Sequence, residues 1–289
     1  MSGVQRIVVI YNPKSTGRSY ELARRFRRKI RRSLDVPVTL VGTKSMGHGE
    51  VLARKYADMY EGCMIVVSSG DGGYHEAVNG VLGSTRPETI LGLLPGGNAN
   101  DHYNFIHHGD IVKRIGVGRT QHLDVLKITS SRGWTMYAHS YAGLGLTAQL
   151  NDVLSQYEFN PIREAGLVVR HLFDVRSVSI IRRGKRKRLD NLLFLNGGRM
   201  SKFVKNDRDA SITDGKFEVI EFRAGDIRSL LRHVFRALTI GLEYGRQLKT
   251  YTFTSCQDMS MQMDGEQIEL HKNERLTITV DSKRLRCII

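Results

Sequence analysis

Residues 63–82, CMIVVSSGDGGYHEAVNGVL, decide the fold class. They begin with an apolar run that predicts a buried strand over Cys63–Val67. The run breaks at the glycine-rich turn Gly70–Gly73, and a helical period follows over Tyr74–Leu82. A strand, a glycine-rich turn and a helix in this order are typical of one unit of a parallel sheet covered by helices.

The same alternation of strand and helix extends in both directions from this stretch. Further strands are predicted at Arg6–Tyr11, Val36–Val41 and Ile90–Leu94, and further helices at Ser19–Arg32 and Gly49–Tyr60. Strands separated by helices of this length predict a parallel sheet, and therefore a Rossmann-like α/β domain over residues 1–122.

The pattern changes after about residue 122, where short strand-like segments follow one another between Gly, Asp or basic turns. These segments are Leu123–Thr129, Trp134–Ser140, Ser177–Arg182, Asn191–Leu195, Phe217–Phe222, Tyr251–Thr254, Met259–Met263 and Leu276–Val280. Two helices are expected among them, at about Asn160–Phe173 and Ile227–Ile240. We predict an α/β + β chain whose second domain, residues 123–289, is a β-sandwich, and we allow its extreme C-terminus to pack back on the first domain.

Composition excludes a disordered chain and points to a polyanionic partner. Hydrophobic residues make up 40% and charged residues 25% of the 289 residues, which is ordinary globular usage. The 44 Lys and Arg against 29 Asp and Glu give a net charge of +15, which suits nucleotide phosphates, anionic lipid headgroups or nucleic acid. Seven of nine residues are basic in Arg24–Arg32 and six of seven in Arg182–Arg188.

The cysteines and the hydropathy indicate a soluble protein of a reducing, cytoplasmic setting. Cys63, Cys256 and Cys287 are odd in number and widely spaced, so they predict neither a disulfide framework nor a CxxC metal site. No apolar stretch reaches the roughly 18 residues that a membrane span needs, and the N-terminus lacks a signal-peptide pattern.

Three polar turns directly follow predicted strands, which places all three at the carboxyl edge of a parallel sheet. They are Asn12–Gly17, Ser68–Gly73 and Pro95–Asp101. Glycine-rich turns let backbone N–H groups converge on phosphate oxygens, and the start of the next helix adds a favourable dipole. No GxxxxGK[ST] and no GxGxxG follows a strand, which argues against a P-loop NTPase and an ordinary dinucleotide dehydrogenase.

These turns resemble the three ordered motifs of the diacylglycerol kinase catalytic domain, a family that includes bacterial lipid kinases, sphingosine kinases and ceramide kinases. The motifs are Asn12-Pro13-Lys14-Ser15, then Ser69-Gly70-Asp71-Gly72 continuing to Gly80, then Leu94 to Asp101. Leu123-Asp124, Thr213-Asp214-Gly215-Lys216 and Met263-Asp264-Gly265-Glu266 extend the resemblance over essentially the whole chain. It implies an active site in the cleft between an α/β nucleotide domain and a β-sandwich that receives the lipid substrate.

The resemblance also implies which residues bind ATP, with Gly70 to Glu76 as the main nucleotide loop. The full set of implied positions is Asn12, Pro13, Lys14, Ser15, Thr43, Gly70, Asp71, Gly72, Gly73, Glu76, Asn79, Gly97, Asn98, Asn100 and Asp101. Two places depart from the family pattern. Asn98 stands where bacterial members usually carry Thr, and Gly73-Tyr74 where many members have Thr or Leu first.

Magnesium and the catalytic base are assigned by the same resemblance. Asp214 matches a Mg²⁺-binding position whose other contacts are backbone carbonyls, here those of Ser211 and Lys216. Glu266 matches the proposed general base of the bacterial enzymes, and Asp71 matches the base proposed in sphingosine kinases. We favour Glu266 as base and Asp71 as the carboxylate near the phosphates and Mg²⁺.

The expected function is transfer of the γ-phosphoryl group of ATP, with Mg²⁺, to the hydroxyl of a membrane lipid such as diacylglycerol. The protein is then expected to be cytoplasmic and peripheral at an anionic membrane surface, with a homodimer possible and nucleic acid an unfavoured partner. One alternative is an NAD kinase-like small-molecule kinase, since NAD kinases also carry a Gly-Gly-Asp-Gly turn. The other is an inactive family member that binds acidic lipid.

Overall fold

The computed structural model describes residues 4–15, 18–97, 100–106, 109–149, 176–197, 199–200, 204–205, 211–225 and 246–289. The helices predicted at about 160–173 and 227–240, and the predicted nucleotide residue Asn98, lie outside these residues. The chain divides into two compact units. The first comprises Met1–Val125 with Ser282–Ile289, and the second comprises Leu126–Asp281.

The first unit is built on a parallel sheet. Its strands are β1 (Arg6–Tyr11), β2 (Val38–Gly42), β3 (Cys63–Ser69) and β4 (Ile90–Pro95), and its helices are α1 (Ser19–Ser33), α2 (His48–Met59), α3 (Asp71–Leu82), α4 (Asp101–Ile106) and α5 (Ile111–Val117). The strand order is β2-β1-β3-β4, with Val9 opposite both Leu40 and Val66. All described pairings among these four strands are parallel, as the alternating pattern predicted.

Helices cover both faces of this sheet. On one face, Ile7 and Val9 of β1 pack with Phe26 and Ile30 of α1, because the apolar residues of that helix lie on a single stripe. On the other face, α2 and α3 pack against β1 and β3. The two helices approach so closely that a Cβ atom on Gly80 would lie 2.3 Å from the carbonyl oxygen of Glu50.

Helix α3 begins at Asp71, three residues before the predicted start at Tyr74. The N–H of Tyr74 donates to the carbonyl of Gly70 over 3.1 Å, so the glycines expected in a loop form the first helical turn. A Cβ atom on Gly73 would lie 2.4 Å from Oγ of Ser69, and this close approach explains why glycine stands there. The predicted nucleotide loop is therefore the end of a strand and the start of a helix.

The second unit is mostly antiparallel. Its strands are β5 (Thr120–Ser130), β6 (Thr135–Ala138), β7 (Tyr141–Gly145), β8 (Val178–Arg182), β9 (Lys185–Leu195), β10 (Arg199–Met200), β11 (Val204–Lys205), β12 (Phe217–Arg223), β13 (Arg246–Leu248), β14 (Thr250–Ser255), β15 (Met259–Met263), β16 (Glu266–Leu270) and β17 (Arg275–Ile288). The strand path is β16-β15-β7-β9-β8-β14-β17, with β12 beside β9. The last residues of β17 belong to the first unit, where Cys287 pairs in parallel with Leu91.

Alternating residues of these strands form the main core of the second unit, which includes Leu126, Phe194, Phe217 and Tyr251. The predicted fold class, an α/β region followed by a mostly antiparallel β region, is confirmed. Strand β9 begins at Lys185 and not at the predicted Asn191, so the second basic run lies in a hairpin with β8.

All three cysteines are free thiols. Burial raises the pKa of Cys63 to about 11, although nearby Arg6 opposes the shift. Burial likewise raises the pKa of Cys287 to about 12, against a hydrogen bond with Tyr74 that lowers it. These two thiols stay protonated near neutral pH and serve as core residues. Among the described residues, no helix is both long and apolar enough to cross a bilayer.

Candidate functional site

The first polar turn is fixed by its own asparagine. Oδ1 of Asn12 accepts the N–H of Lys14 over 2.9 Å, and the carbonyl of Asn12 accepts the N–H of Ser15 over 3.1 Å. Pro13 occupies the bend between them, where its fixed φ suits a turn. Pro13 and Lys14 are exposed, so the turn presents the Lys14 ammonium to solvent at the end of β1.

Two buried serines tie this turn and the start of α1 to the end of β3. The hydroxyl of Ser19 donates to the carbonyl of Ser68, and the hydroxyl of Ser68 donates back to the carbonyl of Ser19 over 2.7 Å. Oγ of Ser19 also accepts the N–H of Asn12 over 3.1 Å. Neither Ser19 nor Ser68 was predicted as a site residue, because they are recognisable only by a contact between residues 49 positions apart.

The third turn joins the first two. The hydroxyl of Ser15 donates to the carbonyl of Gly96, and the N–H of Gly96 donates to the carbonyl of Ser69 over 3.0 Å. Asn100 closes the turn from its other side, because its Oδ1 accepts the N–H of Gly97 over 2.9 Å and its Nδ2 donates to the carbonyl of Gly97 over 2.7 Å.

The second and third turns touch through glycine backbones. A Cβ atom on Gly97 would lie 2.4 Å from Cα of Gly70 and 3.1 Å from its nitrogen. A Cβ atom on Gly70 would lie 3.1 Å from Cα of Gly97. Any side chain at Gly97 would therefore force the two turns apart. The structure thus brings the three predicted phosphate turns together at one edge of the sheet.

Asp71 lies at this edge as the first residue of α3, and it is half-buried. Its Oδ1 accepts the N–H of His102 in α4 over 3.2 Å, so it links the starts of two helices. Gly72 follows it within the first helical turn. Asp101 is the first residue of α4, and only its backbone lies within the described part of the structure.

Glu76 holds the loop that follows β2. Its Oε1 accepts the N–H of Gly47 over 2.8 Å, and its Oε2 accepts the N–H of Gly49 over 2.7 Å. Thr43 begins this loop, and its N–H donates to the carbonyl of Tyr11 over 2.9 Å. The sequence predicted direct contact between Glu76 and ATP, whereas both carboxylate oxygens here serve the N-terminus of α2.

Asn79 is a further residue that the resemblance assigned to ATP binding. It is buried two turns into α3, where its Nδ2 donates to the carbonyl of His75 over 3.0 Å and lies 3.2 Å from Nε2 of the same residue. This spacing of four residues places the two side chains on one helix face. Asn79 therefore packs inside the first unit with His75.

In the second unit, a buried carboxylate organises the hairpin that carries Glu266. Oδ1 of Asp264 accepts the N–H groups of Ser140 and Tyr141 over 2.9 Å each, and Oδ2 accepts the N–H of His139 over 2.6 Å. Asp264 and Gly265 both have positive φ, 49° and 98°, as a two-residue hairpin turn requires. Glu266 then begins β16, opposite Met263.

Asp264 was predicted from the sequence only as part of a motif, and no role was assigned to its carboxylate. The structure gives it one, since its carboxylate fixes the backbone of residues 139–141 against the turn before Glu266. Glu266 itself is half-exposed. A rigid strand end is the kind of support that a precisely placed general base needs.

Asp214 lies in a second turn of this unit and is exposed. Its Oδ1 accepts the N–H of Lys216 over 3.0 Å, and Gly215 after it has a φ of 70°. The hydroxyl of Ser211 lies 3.0 Å from that of Thr213 and accepts the N–H of Thr213 over 3.2 Å. The turn is thus ordered by its own side chains, and the Mg²⁺ contact predicted for Asp214, Ser211 and Lys216 stays a prediction.

Comparison with known proteins identifies the region that contains the three turns. Residues 6–128 match the diacylglycerol kinase catalytic domain. Over these residues the chain is similar to the catalytic domain of diacylglycerol kinases. The Bacillus subtilis strain 168 protein named "Putative lipid kinase YtlR" is 30% identical over 146 residues, which span 47% of this chain and 46% of that protein.

Solved structures show the same fold over the whole chain. A protein described as "a putative diacylglycerol kinase from Bacillus anthracis str. Sterne" superimposes with a TM-score of 0.74 at 17% identity, covering 100% of this chain and 98% of the other. A further structure, described as one of "a diacylglycerol kinases" from the same organism, gives a TM-score of 0.72 at 17% identity. At this identity the likeness establishes the fold.

The sheet edge presents the N-terminus of α3 and the exposed ammonium of Lys14, which are groups of the kind that hold nucleotide phosphates. Within the described residues, no three His, Cys, Asp or Glu side chains cluster as a metal cage. Mg²⁺ is commonly held by one or two carboxylates and the substrate's own phosphates. The half-exposed Asp71 beside the phosphate turns is a carboxylate of that kind.

Proposed function

We propose that this protein is an ATP-dependent lipid kinase that transfers the γ-phosphoryl group of ATP to the hydroxyl of a membrane lipid. The observation that carries the proposal is the contact of three strand-to-helix turns at one sheet edge, with Gly70 and Gly97 backbone to backbone. The similarity of residues 6–128 to the diacylglycerol kinase catalytic domain supports phosphoryl transfer as the reaction class.

The ATP phosphates would lie along the three turns. The turns meet at the N-terminus of α3, where the helix dipole favours negative charge. Lys14 is exposed at the first turn and supplies a positive charge to the same phosphates. Glu76 positions the loop before α2 through its two hydrogen bonds, and the contacts of Glu76 and Asn79 with ATP stay predictions.

Asp71 would bind the Mg²⁺ ion that accompanies the ATP phosphates. Bound Mg²⁺ would neutralise phosphate charge during transfer. The hydrogen bond from the N–H of His102 fixes the carboxylate of Asp71 at the start of α3, so it needs little reorganisation when the nucleotide enters.

Glu266 is the proposed general base. Its carboxylate would take the proton of the acceptor hydroxyl while that oxygen bonds to the γ-phosphorus and ADP leaves with the electrons of the broken P–O bond. The hydrogen bonds of Asp264 support this role, because they fix the turn from which Glu266 projects. Asp71 remains the alternative base.

The acceptor is proposed to be diacylglycerol or a related lipid alcohol. This proposal draws on the Bacillus subtilis relative, which is named a putative lipid kinase. The alignment with that protein covers just under half of each chain. We propose a cytoplasmic protein that acts at the membrane surface, since its acceptor resides there.

An acceptor panel tests the proposal. We expect radiolabel from γ-labelled ATP with Mg²⁺ to reach one member of a set comprising diacylglycerol, monoacylglycerol, sphingosine, undecaprenol and NAD in mixed micelles. Asp71→Ala and Glu266→Ala should both abolish labelling, whereas only Asp71→Ala should weaken ATP binding. Labelling of NAD alone would support the NAD kinase-like alternative, and ATP binding without transfer to any acceptor would support an inactive lipid-binding protein.

A further inference from the structure

The second basic run forms the tip of a rigid β-hairpin. Strands β8 and β9 pair from Val178 opposite Leu189 to Arg182 opposite Lys185. The two residues between them, Arg183 and Gly184, have φ values of 50° and 73°. This is the two-residue turn that matches the natural twist of a hairpin, so the basic side chains project from a defined scaffold.

Two of the six basic residues of this hairpin are engaged by a carboxylate. Nζ of Lys187 lies 2.5 Å and Nη1 of Arg182 lies 3.3 Å from the carboxylate of Glu221. The guanidinium of Arg182 also lies 3.8 Å from the ring centroid of Tyr251, a cation–π contact. Arg182 and Lys187 therefore bind residues of their own unit, Glu221 and Tyr251, and are not available to a partner.

The other four, Arg183, Lys185, Arg186 and Arg188, are all exposed. In the described part of the chain, no ion pair is formed by any of them. We call these four residues together with Ile181 the basic face. By strand alternation Ile181, Arg186 and Arg188 lie on one side of the hairpin, and Lys185 at its tip lies on the side of Lys187. Ile181 lies opposite Arg186 in the β8–β9 pair, and 41% of its surface is exposed.

On the β14 side, the strands beside the basic face add no opposing charge, whereas Glu221 of β12, which pairs with β9, is bonded to Arg182 and Lys187. Residues 178–188 contain no Asp or Glu, and the same is true of β14 and of residues 275–280 in β17. Thr254 of β14 pairs with Ile181, and Arg275 of β17 pairs with Thr254, so a further exposed arginine continues this side of the sheet. Like charges collected without counter-charge attract a polyanionic surface.

We propose that the basic face docks the protein on the anionic headgroups of a lipid bilayer, an inference that rests on the lipid-kinase function proposed above. An exposed aliphatic side chain among arginines suits a bilayer, where the charges meet headgroups and Ile181 enters the interface. Nucleic acid is disfavoured because the basic face carries no aromatic side chain on which bases would stack.

Helix α1, with seven basic residues in Arg24–Arg32, is the rival surface. Its Lys29 lies 3.5 Å from Asp110, and Arg24 lies over the ring of Tyr20. In this helix Ala23 and Ile30 are buried and Leu22 is half-buried, so its exposed apolar group is the ring of Tyr20, which Arg24 covers, and not an aliphatic side chain. This helix supplies a matched control, because four of its arginines can be neutralised with the same change of net charge.

The test is sedimentation of the full chain with vesicles of phosphatidylcholine containing 30 mol% phosphatidylglycerol. The quadruple variant Arg183→Gln/Lys185→Gln/Arg186→Gln/Arg188→Gln is compared with Arg24→Gln/Arg25→Gln/Arg28→Gln/Arg31→Gln. Each basic residue near an anionic leaflet contributes about fivefold to partitioning, so the hairpin variant should lose on the order of 10²–10³-fold. The α1 variant should bind within a few fold of the wild type. Ile181→Ser should weaken binding a few fold without changing its dependence on salt.

Three results would overturn the proposal. The first is that the hairpin variant still binds vesicles, and the second is that the α1 variant loses vesicle binding instead. The third is that the protein binds single-stranded RNA through the hairpin and does not bind vesicles. The assay needs no ATP, so it separates the two proposals. Hairpin-dependent vesicle binding with no phosphoryl transfer to any lipid in micelles would uphold the docking face and refute the kinase.

Discussion

Replacing Gly97 with alanine tests the contact on which the nucleotide site depends. The new Cβ atom would lie 2.4 Å from Cα of Gly70, whereas non-bonded carbons prefer about 3.5–4.0 Å. The neighbour is backbone, so it cannot rotate away, and the two turns must separate by about 1 Å. Forced overpacking of this kind costs about 1–3 kcal/mol of stability.

The functional effect of Gly97→Ala should exceed its effect on stability. A displacement of about 1 Å between groups that position a substrate costs on the order of 10²-fold in rate. We expect ATP affinity, measured by calorimetry, to fall at least about tenfold, and phosphoryl transfer to fall about a hundredfold.

Gly116→Ala is the matched control. The nearest atom to its new Cβ would be Cδ2 of Leu34 at 3.9 Å, an ordinary contact, and the residue lies within α5. Alanine should stabilise this helix by up to about 1 kcal/mol and leave ATP binding unchanged. Wild-type ATP affinity in folded Gly97→Ala would refute the assignment of the Gly70–Gly97 contact to the nucleotide site.

Three further substitutions have outcomes that follow from hydrogen bonds. Glu76→Gln replaces one of two backbone-accepting oxygens with a donor, so the free energy of unfolding, measured in urea, should fall by about 1–3 kcal/mol. The ATP affinity, measured by calorimetry, should also weaken. Its control is Glu50→Gln, which removes only an exposed ion pair and should change the free energy of unfolding by less than about 1 kcal/mol. Asp264→Ala leaves three backbone N–H groups without their acceptor, and a loss of stability below about 1 kcal/mol would contradict its structural role. Burial of Glu221 opposes ionisation, but hydrogen bonds from Lys187 and Tyr251 outweigh it and hold its pKa below the ordinary value of 4.5. Ionised Glu221 therefore stabilises the folded state above pH 4.5, and this stabilisation is lost as the pH falls through the pKa of the folded state. The free energies of unfolding of the wild type and Glu221→Gln should differ at pH 7 and converge in acid. Equal free energies at both pH values would refute this.

The first unit could be predicted from the sequence because its strands are continuous apolar runs. β3 is buried along its whole length, as a central parallel strand must be, and the turn after it carries glycines that the Ser69 and Gly97 contacts explain. Periodicity misplaced the start of α3, because Gly72 and Gly73 are poor helix formers and only the close packing at this edge makes them suitable.

Strand β7 shows what local pattern cannot supply. Its sequence, YAGLG, has two glycines and little β propensity, and no strand was predicted there. The strand exists because β9 and β15 pair with it on both sides. The basic run Arg182–Arg188 likewise lies mostly in β9, which begins at Lys185 and not at the predicted Asn191.

The candidate site likewise has a part that could be predicted from the sequence and a part that could not. The three turns could be placed at one edge because parallel strands end together. The roles of Glu76 and Asp264 could not, since their partners lie 27 and about 124 residues away and are backbone N–H groups that leave no residue signature. The resemblance named both motifs, and the hydrogen bonds indicate what these two carboxylates do.

Amide hydrogen exchange of the full chain, with and without ATP and Mg²⁺, shows whether ATP binds at the three turns. We expect ATP to slow exchange in residues 12–15, 70–73 and 96–97, and the same residues to stay unprotected in Gly97→Ala. Protection elsewhere in the chain, with these three turns unchanged, would show that ATP does not bind at this edge.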